Sequence, residues 1–349
     1  MELTICICTH NRPRYVRDCL DGLRRQTVPR DRFAIQVVDS GSSAGIATEL
    51  YGLAIEYEAR LIRLDQPGVS VARNAGAWAA RTPFIAYIDD DAIPAIDWVE
   101  AILAAIAKPG RRPALIGGRI LPKWEAPLPG WWPASLRGVL SIIEHDGGGE
   151  YRTASVPKGL EPYAANMVVH VLSLLAAGGF GTAIGRYGNS LLSDEEVQLA
   201  WMLQDAGYSV RYDSRITVQH QIQARRLQPG WLLSRLYWQG ASTVLTRRLL
   251  QQPERVWREL PRRLIVACLL APAWLMPRDS TLFLGARWRV AYATGFIKAA
   301  LGWGVTEAAI ARAGVAGIGV AGIGVAPGGN VQAGIVQGGI VQGGGPLAA

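Results

Sequence analysis

Three consecutive carboxylates, Asp89-Asp90-Asp91, follow the apolar run Phe84 to Ile88 and precede Pro94 in this 349-residue chain. Carboxylates bunched in a dry site repel one another, so something cationic should stand near them, and a divalent metal (Mn²⁺ or Mg²⁺) is the obvious candidate. Side chains alternate along an extended chain, which would turn Asp89 and Asp91 to one side and let them share a ligand, with Asp90 on the other. An acidic surface turn closed by Pro94 would show the same residues. A second acidic group, Ser193-Asp194-Glu195-Glu196, heads a stretch in which Val197, Ala200 and Trp201 recur at helical spacing. A carboxylate there could take the proton of an attacking hydroxyl. The S-x-x-E spacing of Ser193 and Glu196 equally suits a capping box.

The elements that must position these groups follow from hydrophobic pattern. Leu3 to Cys8 reads as a strand; Asn11 as a helix cap, with Pro13 in the first turn and Val16, Cys19, Leu20 and Leu23 along the buried face. Ala34 to Val38 is a second strand ending in Asp39-Ser40-Gly41-Ser42-Ser43, and Ala59 to Leu64 a third. A helix from Ser70 to Ala80, carrying Arg73, leads into the run at Phe84, whose unbroken apolar character predicts a strand covered on both faces. Strands alternating with helices imply an α/β fold with a doubly wound parallel sheet, which binds ligands at the carboxyl ends of its strands. Neither GxGxxG nor GxxxxGK[ST] is present, which argues against ordinary dinucleotide and P-loop sites. Asp39, Arg73 and the aspartates would instead suit a nucleoside diphosphate, with carboxylates accepting from base or ribose and cations offsetting the pyrophosphate.

Half the residues are apolar, and the net charge of +8 points to an acidic partner such as nucleotide phosphate, anionic lipid or nucleic acid. Cys6, Cys8, Cys19 and Cys268 form no CxxC pair, which fits a reducing compartment, and Met1 runs almost directly into a strand, so no secretory signal is expected. Nine arginines stand between Arg225 and Arg263 against Glu254 and Glu259, interleaved with Trp231, Tyr237, Trp238 and Trp257. Such helices read as lying on an anionic membrane surface or as a helical subdomain packed on the core; no nucleic-acid module accompanies the arginines. Leu264 to Met276 is too short to span a bilayer, so an interfacial or re-entrant segment is expected. Ile116 to Gly159, with Trp124, Trp131 and Trp132 among prolines, reads as a long loop whose aromatic faces could stack on a sugar or pack on the domain. From Gly314 the uncharged AGIGV and GGIVQ repeats cannot bury a core. These shifts divide the chain into a catalytic domain (1–223), a basic helical region (224–312) and a Gly-rich tail (313–349).

Six segments in order carry a resemblance. TICICTHNRPRYVRDCLDGLRRQT, VVDSGSS, PGVSVARNAG, IDDDAIP, AANMVVHVLSLLAAGGF and SDEEVQLAWMLQDAGYSVRYD with ITVQHQI together resemble family 2 of the glycosyltransferases, inverting enzymes of the GT-A fold. The resemblance implies transfer from a nucleotide-diphosphate sugar to a hydroxyl of a glycan or lipid-linked acceptor, as in polysaccharide biosynthesis at the inner face of the cell membrane. It implies that Thr9, Asn11, Asp39, Arg73, Asp89 and Asp90 hold the donor nucleotide, and that Asp91 and His220, with Asp89, hold the metal of a DxD element. Asn166, Trp131 and Trp132 would stand near the donor sugar and acceptor, and Glu196 would be the base with Glu195 oriented to the acceptor, although the choice between them stays open. GGFGTAIG departs from the family, where an acidic residue commonly follows the Phe. A sugar nucleotidyltransferase shares the sheet and the aspartates but needs a glycine-rich loop that THNRP is not, and a degenerate binding protein would not need Asp91, Glu195, Glu196 and His220.

Overall fold

The structure is a computed structural model that describes residues 1–186 and 190–303; the Gly-rich tail lies outside the described residues. In chain order the elements are β1 (Leu3–Thr9), α1 (Pro13–Arg24), β2 (Phe33–Ser40), α2 (Ala44–Glu56), β3 (Arg60–Leu64), α3 (Val69–Ala79), β4 (Phe84–Asp89) and β5 (Ala92–Pro94). They continue with α4 (Trp98–Ala107), β6 (Pro113–Trp124), β7 (Gly148–Glu150), β8 (Met167–His170), α5 (Val171–Ala176), α6 (Glu195–Asp205) and β9 (Ser209–Ile222). Last come α7 (Pro229–Leu249), α8 (Pro253–Leu270) and α9 (Leu284–Ala300).

One sheet runs in the order β3-β2-β1-β4-β8-β6-β9-β5, with β7 paired to β9. Its first four strands are parallel, as the alternating pattern requires. Beyond β4 it is mixed: β8 is antiparallel to both β4 and β6, while β6 and β9 are parallel. The centre is dry. Leu3, Ile5 and Ile7 of β1 and Ile85 and Ala86 of β4 are buried from helices on both faces, each large aliphatic contributing roughly 1.5–3 kcal/mol.

The expected long loop from Ile116 is in part the long strand β6. Gly117 and Gly118, Pro113 and Pro122 conceal it from propensity; the glycines are there because a Cβ at Gly117 would strike the Tyr151 hydroxyl and one at Gly118 the Ile216 carbonyl and the Asn166 amide. The tryptophans after β6 pack inward. Trp132 is buried in a cluster with Leu140, Ile222, Leu232 and Leu236, and Trp131 lies against it, which fastens this loop to α7. The helical region thus packs on the core through α7 and α9, whose backbones approach at Gly240 and Gly295, where a side chain would collide with Tyr292 and Tyr237 carbonyls. α8 buries only Val256. Among the described residues no helix is long and apolar enough to cross a membrane, and Leu264–Met276 is the end of α8 plus a 3-10 turn.

Candidate active site

A cleft of about 570 Å³ opens at the carboxyl ends of β1, β2 and β4, with the start of α6 and part of α7 as its far wall. Thr9, Arg12, Arg73, Asp89, Asp90, Asp91, Glu195 and Glu196 line it, so the two acidic groups, a hundred residues apart, face one space.

β4 ends at Asp89, and Asp90 and Asp91 form the turn into β5. Strand alternation therefore stops before it can pair the first and third aspartates. Asp89 meets Arg73 at 3.4 Å. Asp90 accepts from Thr9 Oγ1 at 2.7 Å and from Arg12 at 2.5 Å. The same guanidinium reaches Asp91 at 3.0 Å, so it is the second and third carboxylates that share a cation. Burial pushes the Asp90 carboxyl up to about 7 against the pull of Arg12, with Asp91 adding to the rise. For Asp91 burial would act the same way, but the guanidiniums of Arg226 and Arg12 overcome it and hold the group well below the usual carboxylate range. The cations that offset the triple aspartate in this structure are arginines.

Asp91 Oδ2 accepts from Arg12, from Gln223 at 2.9 Å and from Arg226 at 2.9 Å, and its Oδ1 lies 3.3 Å from His220 Nε2. His220 Nδ1 contacts the Leu140 carbonyl at 3.0 Å. A carbonyl only accepts and a guanidinium only donates, so Nδ1 donates to Leu140 and Nε2 meets Arg226 Nη1 with its lone pair. A carboxylate and an imidazole lone pair turned toward each other are the donor set that suits Mn²⁺ or Mg²⁺, so the expected ligands Asp91 and His220 fit such an ion in type. Asp89 stands apart from them, with Arg73, and no group of three His, Cys, Asp or Glu gathers among the described residues.

At the other wall, Arg73 donates to Glu195 Oε1 at 2.6 Å, and both side chains are buried. The guanidinium is held far above its ordinary value because Glu195, Glu196 and Asp89 outweigh its own burial. Among the described residues Glu196 has no such partner: its Oε1 meets the Ala164 amide, at 3.4 Å, and its Oε2 is shut from solvent without a hydrogen bond. Burial first, and then the charge of Glu195, raise its carboxyl to about 8. No capping box forms: α6 starts at Glu195, and Asp194 before it sits in the left-handed region (φ 79°) with no side-chain cap. That backbone is held by α7, whose Gln239 donates to both Asp194 oxygens at 3.0 and 2.9 Å while Arg235 donates to Ser193 Oγ.

Residues 4–125 match the family described as Glycosyl transferase family 2. Over this segment, about a third of the chain, the sequence is similar to the family 2 glycosyl transferases. It is 24% identical over 245 residues to a glucosyl-dolichyl phosphate glucuronosyltransferase of Haloferax volcanii, covering 69% of this chain and 76% of that one. It is 27% identical over 236 residues to a pre-mycofactocin glycosyltransferase of Mycobacterium tuberculosis, covering 67% of this chain and about half (46%) of that protein. Among solved structures it resembles the mannosyltransferase PcManGT of Pyrobaculum calidifontis in complex with GDP-Man and Mn²⁺ (TM-score 0.50, 18% identity, 91% of this chain and 76% of that one). TarS 1–349 of S. aureus in complex with UDP is similarly related (TM-score 0.50, 13% identity, 86% and 92%). The fold is that of the GT-A glycosyltransferases.

Several residues singled out from sequence stand behind the cleft wall. Asp39 is fully buried, accepting from Arg63 at 2.7 Å and from the Ser42 amide at 3.0 Å. Asn11 caps nothing: it is exposed at φ 56°, and its Oδ1 accepts from the Ser43 amide, tying the start of α1 to the turn after β2. Asn166 is wholly buried, accepting from Trp98 Nε1 and donating to the Arg119 and Ile216 carbonyls, as a satisfied structural amide does. Trp131 and Trp132 belong to the apolar cluster on α7 and do not line the cleft. Four site residues escaped sequence reasoning: Arg12, Arg226, Arg235 and Gln239. Their signal was faint, a cation beside Pro13 and arginines soon after His220, because polar residues in the helical region read as surface.

Proposed function

We propose that this chain transfers a sugar from a nucleotide-diphosphate sugar to an acceptor hydroxyl by single displacement with inversion, Glu196 being the base. One observation carries this: in a cleft at the carboxyl ends of a GT-A sheet, Glu195 is taken up by Arg73 while Glu196 keeps a buried oxygen without a hydrogen bond among the described residues. Glu196 would accept the hydroxyl proton as that oxygen bonds to the anomeric carbon and the bond from that carbon to the diphosphate breaks, the electron pair leaving with the diphosphate. A carboxylate whose pKa lies near neutrality both holds and accepts a proton over the working range.

Arg12 and Arg235 border the same space, and Arg235 Nη1 has no hydrogen-bond partner among the described residues. These guanidiniums are suited to orient an anionic diphosphate. Asp91 and His220 are the residues that would hold a divalent ion. Such an ion, when bound, supplies Lewis-acid stabilisation of charge on the leaving diphosphate. Support for a nucleotide-sugar donor comes from the GDP-Man and UDP complexes of the structural relatives, and for a glycan or lipid-linked acceptor from the dolichyl phosphate in the name of the Haloferax protein.

Peripheral contact with an anionic membrane surface, at the inner face of the cell membrane, belongs to the same proposal. α8 leaves Trp257, Leu264, Ile265 and Leu269 exposed beside the exposed Arg255, Arg258 and Arg262, an apolar face flanked by cations. Flotation with anionic but not neutral vesicles is the expected result, and equal recovery in both would remove the membrane partner. For the reaction, the test is a thermal-shift screen of UDP, GDP and dTDP followed by a diphosphate-release assay with the matching nucleotide sugars. Stabilisation by one diphosphate and acceptor-dependent release support transfer. No response to any of them would sink it.

A further inference from the structure

Behind Arg12, the guanidinium of Arg226 touches both residues suited to a metal. Nη2 donates to Asp91 Oδ2 at 2.9 Å, and Nη1 lies 3.2 Å from His220 Nε2. All three side chains are buried, Arg226 at 5% exposure and the others at 2% or less. Because the Leu140 carbonyl fixes the proton of His220 on Nδ1, the atom facing Arg226 is the ring's lone pair. The two prongs of one planar cation thus engage the two residues that a divalent ion would need. Among the described residues Asp91 keeps Oδ1 free of arginine, but Nε2 has a single lone pair, which a guanidinium and a metal ion cannot both use.

We propose that Arg226 is a resident counter-cation that competes with a divalent metal for Asp91 and His220, so that metal enters only as Arg226 withdraws. Arg226 lies on the 3-10 turn Ala224–Leu227 between β9 and α7, a short connection anchored at one end by Gln223, which donates to the same carboxylate. Buried carboxylates are rarely left without a positive partner, and this device keeps Asp91 paired whether or not metal is present. Arg12 remains on Asp91 and Asp90 throughout, so the exchange alters one cation only. The chemistry separates Arg226 from a structural arginine: removing a structural one leaves a void and a destabilised fold, whereas removing a competitor uncovers a metal site.

The test is Mn²⁺ binding to the full chain without nucleotide, read by the loss of the free-ion electron paramagnetic resonance signal, in the parent, Arg226→Gln and Arg226→Gln with Asp91→Asn. Arg226→Gln should bind Mn²⁺ at least tenfold more tightly than the parent, and the double variant should lose the gain. Equal affinity of parent and Arg226→Gln, or a gain that survives Asp91→Asn, would overturn the proposal. Should Arg226→Gln fail to fold by circular dichroism, Arg226→Lys serves: its single ammonium cannot span Asp91 and His220 together, and the same direction of change is expected. No donor or acceptor enters the assay, so it can fail while the proposed transfer stands, and transfer can fail while it succeeds.

Discussion

Replacing Glu196 by Gln should remove activity and at the same time stabilise the protein at alkaline pH. In the folded chain the carboxyl titrates at about 8 against an ordinary 4.5. Between those values the folded state holds a proton that the unfolded state has released, so stability falls as pH rises through that window and the cost is complete above pH 8. At about 1.4 kcal/mol for each pH unit of separation the cost is at most about 5 kcal/mol, reduced by the solvent that reaches this half-buried side chain. Glutamine is neutral throughout and bears none of it. The Tm of Glu196→Gln should therefore equal that of the parent near pH 4.5 and exceed it by several degrees at pH 9. Its kcat should fall by about 10² to 10⁴ with donor KM little changed, the loss expected for a general base. The parent's kcat should rise with pH to a plateau above about 8, and the variant's residual rate should lack that limb. A Tm difference independent of pH, or a rate within tenfold of the parent, would refute the placement of the base and the electrostatics behind it.

The neighbouring Glu195→Gln should shift stability the other way, because it strips Arg73 of its 2.6 Å partner and leaves it only the looser contact with Asp89; a loss of about 3 kcal/mol is expected in urea unfolding. Gln239→Leu should lower kcat by roughly ten- to a hundredfold and displace the pH profile, at a cost in stability of about 1–3 kcal/mol, since it takes both hydrogen bonds from Asp194 and frees its left-handed backbone just before the base. Gly76→Ala should cost about 1–3 kcal/mol, because α3 lies so close to the sheet that the added Cβ would meet Cys6 Sγ at 2.5 Å and Gln36 Nε2 at 3.1 Å.

Much of the sheet was legible in the chain. Strands β1 to β4 and helix α3 fall within about a residue or two of where the apolar runs and turn residues put them: β1, β2 and β4 are buried on both faces and had no choice but to be apolar, while β3 is a partly exposed edge strand. β6 was hidden because its glycines serve the close approach of Tyr151, Asn166 and the Ile216 carbonyl, a demand that arises only when those distant segments meet. The tryptophans after it gave no sign of which surface they cover, since an aromatic ring suits a sugar and an apolar cluster equally. Likewise the cap expected of Asn11 gave way to a bond with the turn after β2, which lies beside it only in the folded sheet.

Residue types alone required a cation at Asp89-Asp90-Asp91, for three adjacent carboxylates repel whatever the fold. They also placed a candidate base at Glu195-Glu196. Which cation stands at the aspartates, and which glutamate is left without an ion-pair partner, were decided by packing. α1, α3 and the turn after β9 deliver Arg12, Arg73 and Arg226 to the aspartates, and the Arg73 that reaches Glu195 is what leaves Glu196 unpartnered. The physical reason is range: repulsion between neighbours in sequence is fixed by covalent proximity, whereas compensation comes from side chains that folding alone brings within 3 Å.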